Sequence, residues 1–149
     1  MKITICGSIA FIEQMVETRN LLEQNGHQVR IPLTEILNGQ GEIISATEYY
    51  RIRQSNESEQ ETWIWERKKM AMKTHFEKII WSDVILVLNY EKNGIPGYVG
   101  SNTLIEMGIA LYLDKPIYLL HTVPEIGSRE EILGMMPILL NGDLQILAS

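Results

Sequence analysis

Apolar and polar positions along the chain fall into segments of two periods. Isoleucines alternate with other residues from Lys2 to Cys6 and the pattern stops at Gly7-Ser8, which predicts a short strand running into a tight turn. Beyond the turn, Ile12, Met15, Val16, Leu21 and Leu22, with Arg19 among them, recur at helical spacing, and Asn25-Gly26 supplies a left-handed stop. His27 to Pro32 gives a second strand. Glu59 to Trp81 predicts a long helix, because Trp65, Met72, Phe76 and Ile79 or Ile80 repeat at helical intervals; these are assigned to the core. Asp83 to Asn89 is an almost unbroken apolar run, the pattern of a central parallel strand covered on both faces. A loop with Gly94, Pro96, Gly97 and Gly100 follows, and Ser101-Asn102-Thr103 opens a helix reaching about Leu113. Pro116 to Leu120 reads as a fourth strand, Ser128 to Met135 as a short helix and Ile138 to Leu140 as an edge element before the Asn141-Gly142 turn.

Between the second strand and the long helix, residues 33–57 are polar and carry no clear period, with Tyr49-Tyr50 beside Arg51. A stretch this long is either a disordered excursion or a functional lid, and a lid with some local helix is expected. The alternation of strands and helices elsewhere implies right-handed crossovers and one α/β domain over residues 1–149. Its expected form is a doubly wound, Rossmann-like or flavodoxin-like parallel sheet of about five strands in the order 2-1-3-4-5, with helices on both faces. In such sheets ligands bind beyond the carboxyl ends of the strands, where the order reverses. The Gly7-Ser8 turn, the strand end at Asn89 and the loop from Gly94 to Asn102 are expected to converge there.

Composition narrows the picture. A chain of 149 residues is long enough to bury its own core without a staple. Its single cysteine, Cys6, excludes an internal disulfide and a cysteine-cluster metal site, and points to a reducing, cytoplasmic setting. No apolar run reaches the ~18 residues of a membrane helix, so no membrane partner is expected. Nineteen Asp and Glu against thirteen Lys and Arg give a formal charge of −6 with no basic stripe, which argues against a nucleic-acid polymer but leaves a single nucleotide open.

Few residues are candidates for chemistry. Gly7-Ser8-Ile9, between strand and helix, offers backbone N–H groups and a hydroxyl to an anion, and an ordinary strand-to-helix turn has the same sequence. Glu106 has two readings. Thr103-Leu-Ile-Glu106 fits a capping box, with the carboxylate bonding back to the helix start. The glycines at 94, 97 and 100 equally suit a loop that lets backbone approach a ligand, with Glu106 as its carboxylate. Cys6 reads as a small core residue, Asp83 as a structural residue at the remote end of its strand, and His27 and His121 as surface residues. No His and carboxylate pair has metal-ligand spacing, so neither a metal nor another cofactor is expected.

The segments ICGSI, SDVILVLN and GIPGYVGSNTLIEMGIALYLDKPIYLL resemble the nucleoside 2-deoxyribosyltransferase superfamily, which includes deoxynucleoside monophosphate N-glycosidases. The resemblance runs from residue 1 to about 120 and is sharpest at Glu106, Gly108 and Ala110. It implies that Glu106 is the nucleophile at the anomeric carbon of a nucleoside or nucleoside monophosphate. Gly7, Ser8, Ile9, Asn89, Gly97, Gly100, Ser101 and Asn102 are then expected to bind substrate. The relatives complete their pockets across an interface, which implies a homodimer or higher homo-oligomer, and Trp63 beside Trp65 leaves one large ring off the core face.

Four positions depart from the family pattern. Thr4 replaces a tyrosine that orients the nucleophile. Gly100 stands six residues before Glu106, where relatives carry Asp or Ser, with Ser101 next to it. Ala10 replaces a phosphate-binding arginine, which weakens the case for a monophosphate. His75 replaces an aspartate on the helix before the central strand; it is read either as the proton donor to the leaving base or as a packing residue. The expected function is therefore cleavage or transfer at an N-glycosidic bond, as a hydrolase or a transferase, or else a non-catalytic nucleotide-binding module on the same fold.

Overall fold

The computed structural model describes residues 1–55 and 61–148. The last two residues of the expected lid and the first two of the expected long helix lie outside them. Strand β1 (Lys2–Cys6) leads through a 3₁₀ turn at Ile9–Phe11 into α1 (Ile12–Gln24), followed by β2 (Gln28–Arg30). A hairpin, β3 (Glu35–Leu37) and β4 (Ile43–Ser45), precedes α2 (Ala46–Gln54) and the 20-residue α3 (Thr62–Trp81). Then come β5 (Val84–Val87), α4 (Ser101–Tyr112), β6 (Ile117–Leu119), α5 (Arg129–Gly134), β7 (Ile138–Leu139) and α6 (Gln145–Ala148).

Five strands form one parallel sheet in the order β2-β1-β5-β6-β7. Counting only these five, the order is 2-1-3-4-5, as expected, and the crossover reverses between β1 and β5. Ile3 pairs with Val84 and Cys6 with Val87, so the carboxyl ends of the two central strands finish side by side. Side chains on a strand alternate between faces, and the core divides accordingly. Ile3, Ile5, Leu86 and Leu88 pack on one face with Met15 and Leu22 of α1. Cys6, Ile85 and Val87 pack on the other with Ile79 of α3 and Met107 and Ala110 of α4. Gly7 is fixed by this closeness, because a Cβ there would stand 2.8 Å from the Leu88 carbonyl oxygen.

Residues 33–55 carry more regular structure than their sequence suggests. The two three-residue strands of the hairpin pair Ile36 with Ile44, and Ser45 caps α2 by accepting from the Glu48 amide at 3.0 Å. Ile36, Tyr49 and Ile64 form a small buried cluster of their own, with the Tyr49 hydroxyl donating to the Ile64 carbonyl. Strands this short give too little alternation to be seen in the sequence.

Helix α3 keeps Met72 and Ile79 on its inward side as expected, but its stripe passes through Ile64 and not Trp65. Trp65 is 45% exposed and Ile80 is exposed, whereas Ile64, His75 and Ile79 are buried. The inward stripe runs Ile64, Lys68, Met72, His75, Ile79, and two of its members are polar, which displaces the hydrophobic signal. The helix is tied down at its C-terminal end. The Thr4 hydroxyl donates to the Lys78 carbonyl at 2.7 Å, Lys78 Nζ to Ile31 O at 2.8 Å, and Lys115 Nζ to the carbonyls of Ile80 and Ser82. No helix among the described residues is long and apolar enough to cross a membrane.

Candidate active site

A cavity of about 460 Å³ lies over the carboxyl ends of β1 and β5. Gly7, Ser8 and Ile9 border it from the first turn, and Gly100, Ser101, Asn102 and Glu106 from the start of α4. The long helix contributes Lys68, Met72 and His75, while α2 contributes Tyr49, Tyr50 and Arg53. Six of the eight expected substrate-binding residues therefore meet around one space with both expected catalytic residues.

The other two build the loop instead of facing the cavity. Asn89 Nδ2 donates to Thr122 O at 2.9 Å and its Oδ1 accepts from the His121 amide at 2.8 Å, so the buried side chain staples the end of β5 to the segment after β6. Gly97 has φ +67°, and a Cβ there would stand 2.1 Å from the Thr122 carbonyl oxygen. Both positions were legible as special, and their constraint is packing within the protein.

Glu106 does not make a capping box. Gly100 is the N-cap of α4 and makes no side-chain cap, which puts Glu106 one turn further in. Its carboxylate is 3% exposed; Oε1 accepts from Asn102 Nδ2 at 2.9 Å, and buried Oε2 has no hydrogen-bond partner. A buried acceptor without a well-formed hydrogen bond is costly, and Oε2 shares that state with Arg53 Nε and His75 Nδ1 among the described residues lining the cavity, with the Cys6 thiol beside the carboxylate as a donor. Burial pushes the carboxyl up to about 8, against the opposing pull of the Cys6 thiol, the Lys68 ammonium and the Asn102 amide.

His75 Nε2 stands 3.8 Å from Glu106 Oε2 and 3.4 Å from Cys6 Sγ. Burial, reinforced by the Lys78 ammonium, lowers His75 to about 4, although the nearby Ile5 carbonyl favours the charged ring. Its Nδ1 makes no hydrogen bond within ordinary geometry. The expected imidazolium donor is therefore opposed by the surroundings: near neutrality His75 is an uncharged ring. Cys6 is fully buried as expected, and burial followed by the Glu106 charge raises its thiol well above the usual range.

The cations are what sequence reasoning missed. Lys92 Nζ donates to Ser8 Oγ at 2.9 Å and lies over the Tyr50 and Tyr98 rings; Lys68 Nζ donates to Asn102 Oδ1 at 3.3 Å. Arg53 lies over Tyr49 and Tyr50 with its Nε buried and unpartnered. Among the described residues lining the cavity, three cations face one carboxylate. These residues come from three separated segments, and only a reading that placed 33–55 against the sheet would have gathered them.

A solved 2-deoxyribosyltransferase from the psychrotolerant bacterium Bacillus psychrosaccharolyticus is similar to this chain, with 20% identity, 79% of this chain and 70% of that chain covered, and a TM-score of 0.49. No family model and no curated protein matches the chain. A fold likeness of this order leaves the chemistry to the residues of the pocket.

Proposed function

We propose that this pocket binds a nucleoside carrying an anionic group, such as a monophosphate, and that Glu106 attacks the anomeric carbon to release the base. The supporting observation is the open Oε2 of a buried carboxylate held by Asn102 on the floor of a nucleotide-sized cavity. The bond from sugar to base breaks with its electron pair leaving on the base, while a carboxylate oxygen bonds the sugar as an ester. Positive charge growing on the sugar is neutralised by Glu106, so the ionised form that burial disfavours in the empty pocket is favoured as the reaction proceeds. Water then hydrolyses the ester, or a second base displaces it with retention. An uncharged His75 leaves protonation of the departing base to solvent or a water in the cavity.

The missing arginine at Ala10 is offset by Lys92, Lys68 and Arg53, which together suit a phosphate better than an uncharged sugar end. Incubation with a panel of nucleosides and their monophosphates, followed by chromatography for free base, tests the reading. Release from at least one monophosphate, lost in Glu106→Gln, supports it. Tight binding of a nucleotide with no release from any would identify a binding module.

A further inference from the structure

Cys6, His75 and Glu106 stand 69 and 31 residues apart in the chain, yet the Cys6 sulfur, a His75 ring nitrogen and a Glu106 carboxylate oxygen all lie within 4.8 Å of one another. Each residue is more than nine-tenths buried, at 0%, 4% and 3% exposure. We propose that these three side chains are ligands for one zinc-class divalent cation at the base of the cavity. In a tetrahedral zinc site, metal–ligand bonds of about 2.0–2.3 Å place neighbouring ligand atoms roughly 3.3–3.7 Å apart. The observed 3.4 Å from Cys6 Sγ to His75 Nε2 and 3.8 Å from His75 Nε2 to Glu106 Oε2 are close to that spacing.

The donor set suits zinc and disfavours magnesium or calcium, because sulfur and imidazole select borderline-soft ions while all-oxygen cages select hard ones. One thiolate and one carboxylate balance the two positive charges, so the buried cluster is neutral when loaded. Outer contacts are in place on the carboxylate side, where Asn102 orients Glu106 through the oxygen that does not ligate. Three protein ligands leave a fourth position. Glu106 and His75 line the cavity and Cys6 lies behind them, so that position opens towards the substrate space. Taking Glu106 as the nucleophile, a bound ion occupies the attacking oxygen and silences turnover; that consequence rests on the function proposed above, whereas binding of the ion does not.

The test uses full-length protein freed of metal with a chelator and titrated with Co²⁺, a spectroscopic stand-in for zinc. One equivalent should produce a thiolate-to-cobalt charge-transfer band with the intense visible bands of four-coordinate cobalt, and Zn²⁺ should displace it. Cys6→Ser should remove the charge-transfer band. His75→Gln, in a protein whose melting curve is kept, should weaken binding by more than about tenfold, the lower end of what even an outer hydrogen-bond partner contributes. Cobalt bound by the wild type without a thiolate band, or affinity unchanged in both variants, overturns the site. Base release is read separately. If stoichiometric Zn²⁺ binds with the thiolate signature and release continues undiminished, the site stands and the role of Glu106 as nucleophile falls.

Discussion

Two walls of the same cavity are built differently. The sheet wall, with Ser8 at the end of β1 and Glu106 on α4, stands on strands whose residues are almost all buried and apolar, packed on both faces. The opposite wall, formed by the hairpin, α2 and the first turns of α3, stands on a small cluster that among the described residues centres on buried Ile36, Tyr49 and Ile64, with Ile44, Ile52 and Trp63 packed against it. On the function proposed above, the heavily packed side carries Glu106, the group whose position must be held for bond-making, and the lightly anchored side carries Arg53 and Lys68, whose long side chains bring charge. Stability differs across a domain in this way when binding elements are drawn from its weaker parts.

The contrast predicts where substitutions act. Glu106→Gln, on the sheet wall, is expected to lower base release by at least about 10³-fold with little change in KM, since the lost interaction belongs to the transition state. Its melting temperature should hold or rise, because a buried carboxyl is replaced by an uncharged amide. A folded variant with unchanged turnover would remove the reading. Leu86→Ala, at the centre of the sheet, should cost about 2–5 kcal/mol of global stability in denaturant titration. A loss below that range would mean that the sheet is not the stable half.

The pH dependence sharpens the same wall. Glu106 faces Cys6 from β1, His75 and Lys68 from α3 and Asn102 on its own helix, and burial holds it up at about 8. A nucleophile works deprotonated. In metal-free protein kcat/KM should therefore fall about tenfold for each pH unit below that value, and a carboxyl acting as proton donor would give the opposite slope. On the other wall, Arg53→Ala should raise KM for a monophosphate by about tenfold while leaving kcat and the global melting curve nearly unchanged. Equal losses for the monophosphate and its nucleoside would show that Arg53 shapes the pocket without reading the anion.

The smallest effect expected is that of Tyr49→Phe, which removes the bond to the Ile64 carbonyl and should cost about 1 kcal/mol locally. Hydrogen exchange should quicken in residues 33–55 and leave β1 and β5 unaffected, and bound nucleotide should slow it again if this segment closes as a lid. Exchange in 33–55 as slow as in β5 would make the two walls equivalent.

How much of this was visible in the sequence follows the same division. The apolar run Asp83 to Asn89 and the alternation in Lys2 to Cys6 lie in the sheet, where burial on both faces leaves an unbroken signal, and strand order and site position followed. The hairpin's strands are three residues long and the inward stripe of α3 passes through Lys68 and His75, so period and polarity misled at the pocket itself. Ser8 and the glycine loop were found because they follow strand ends, and Glu106 because it follows that loop and carries the sharpest part of the family resemblance. Lys92, Lys68 and the approach of Cys6 to His75 were not, since the contacts that place them join residues 34 to 84 positions apart and no local pattern encodes them; Arg53 meets Tyr49 and Tyr50 on its own helix, and only the packing of α2 brings it to the cavity.

The bonds at the end of α3 make that helix a lever. Thr4, Lys78 and Lys115 fix its pivot near Trp81, whereas its far end is held by the Ile64 cluster and by Arg67 Nε donating to Leu37 O at 3.0 Å, so the hairpin travels with it. At 1.5 Å of rise per residue, Ile64 lies about 25 Å from the pivot, Lys68 about 20 Å and His75 about 9 Å. A tilt of about 5° therefore carries Ile64 and the hairpin roughly 2 Å, and His75 less than about 1 Å. Such a swing would widen the mouth of the cavity by most of a hydrogen-bond length, would strain the bond from Lys68 to Asn102, and would hardly move His75 at the base.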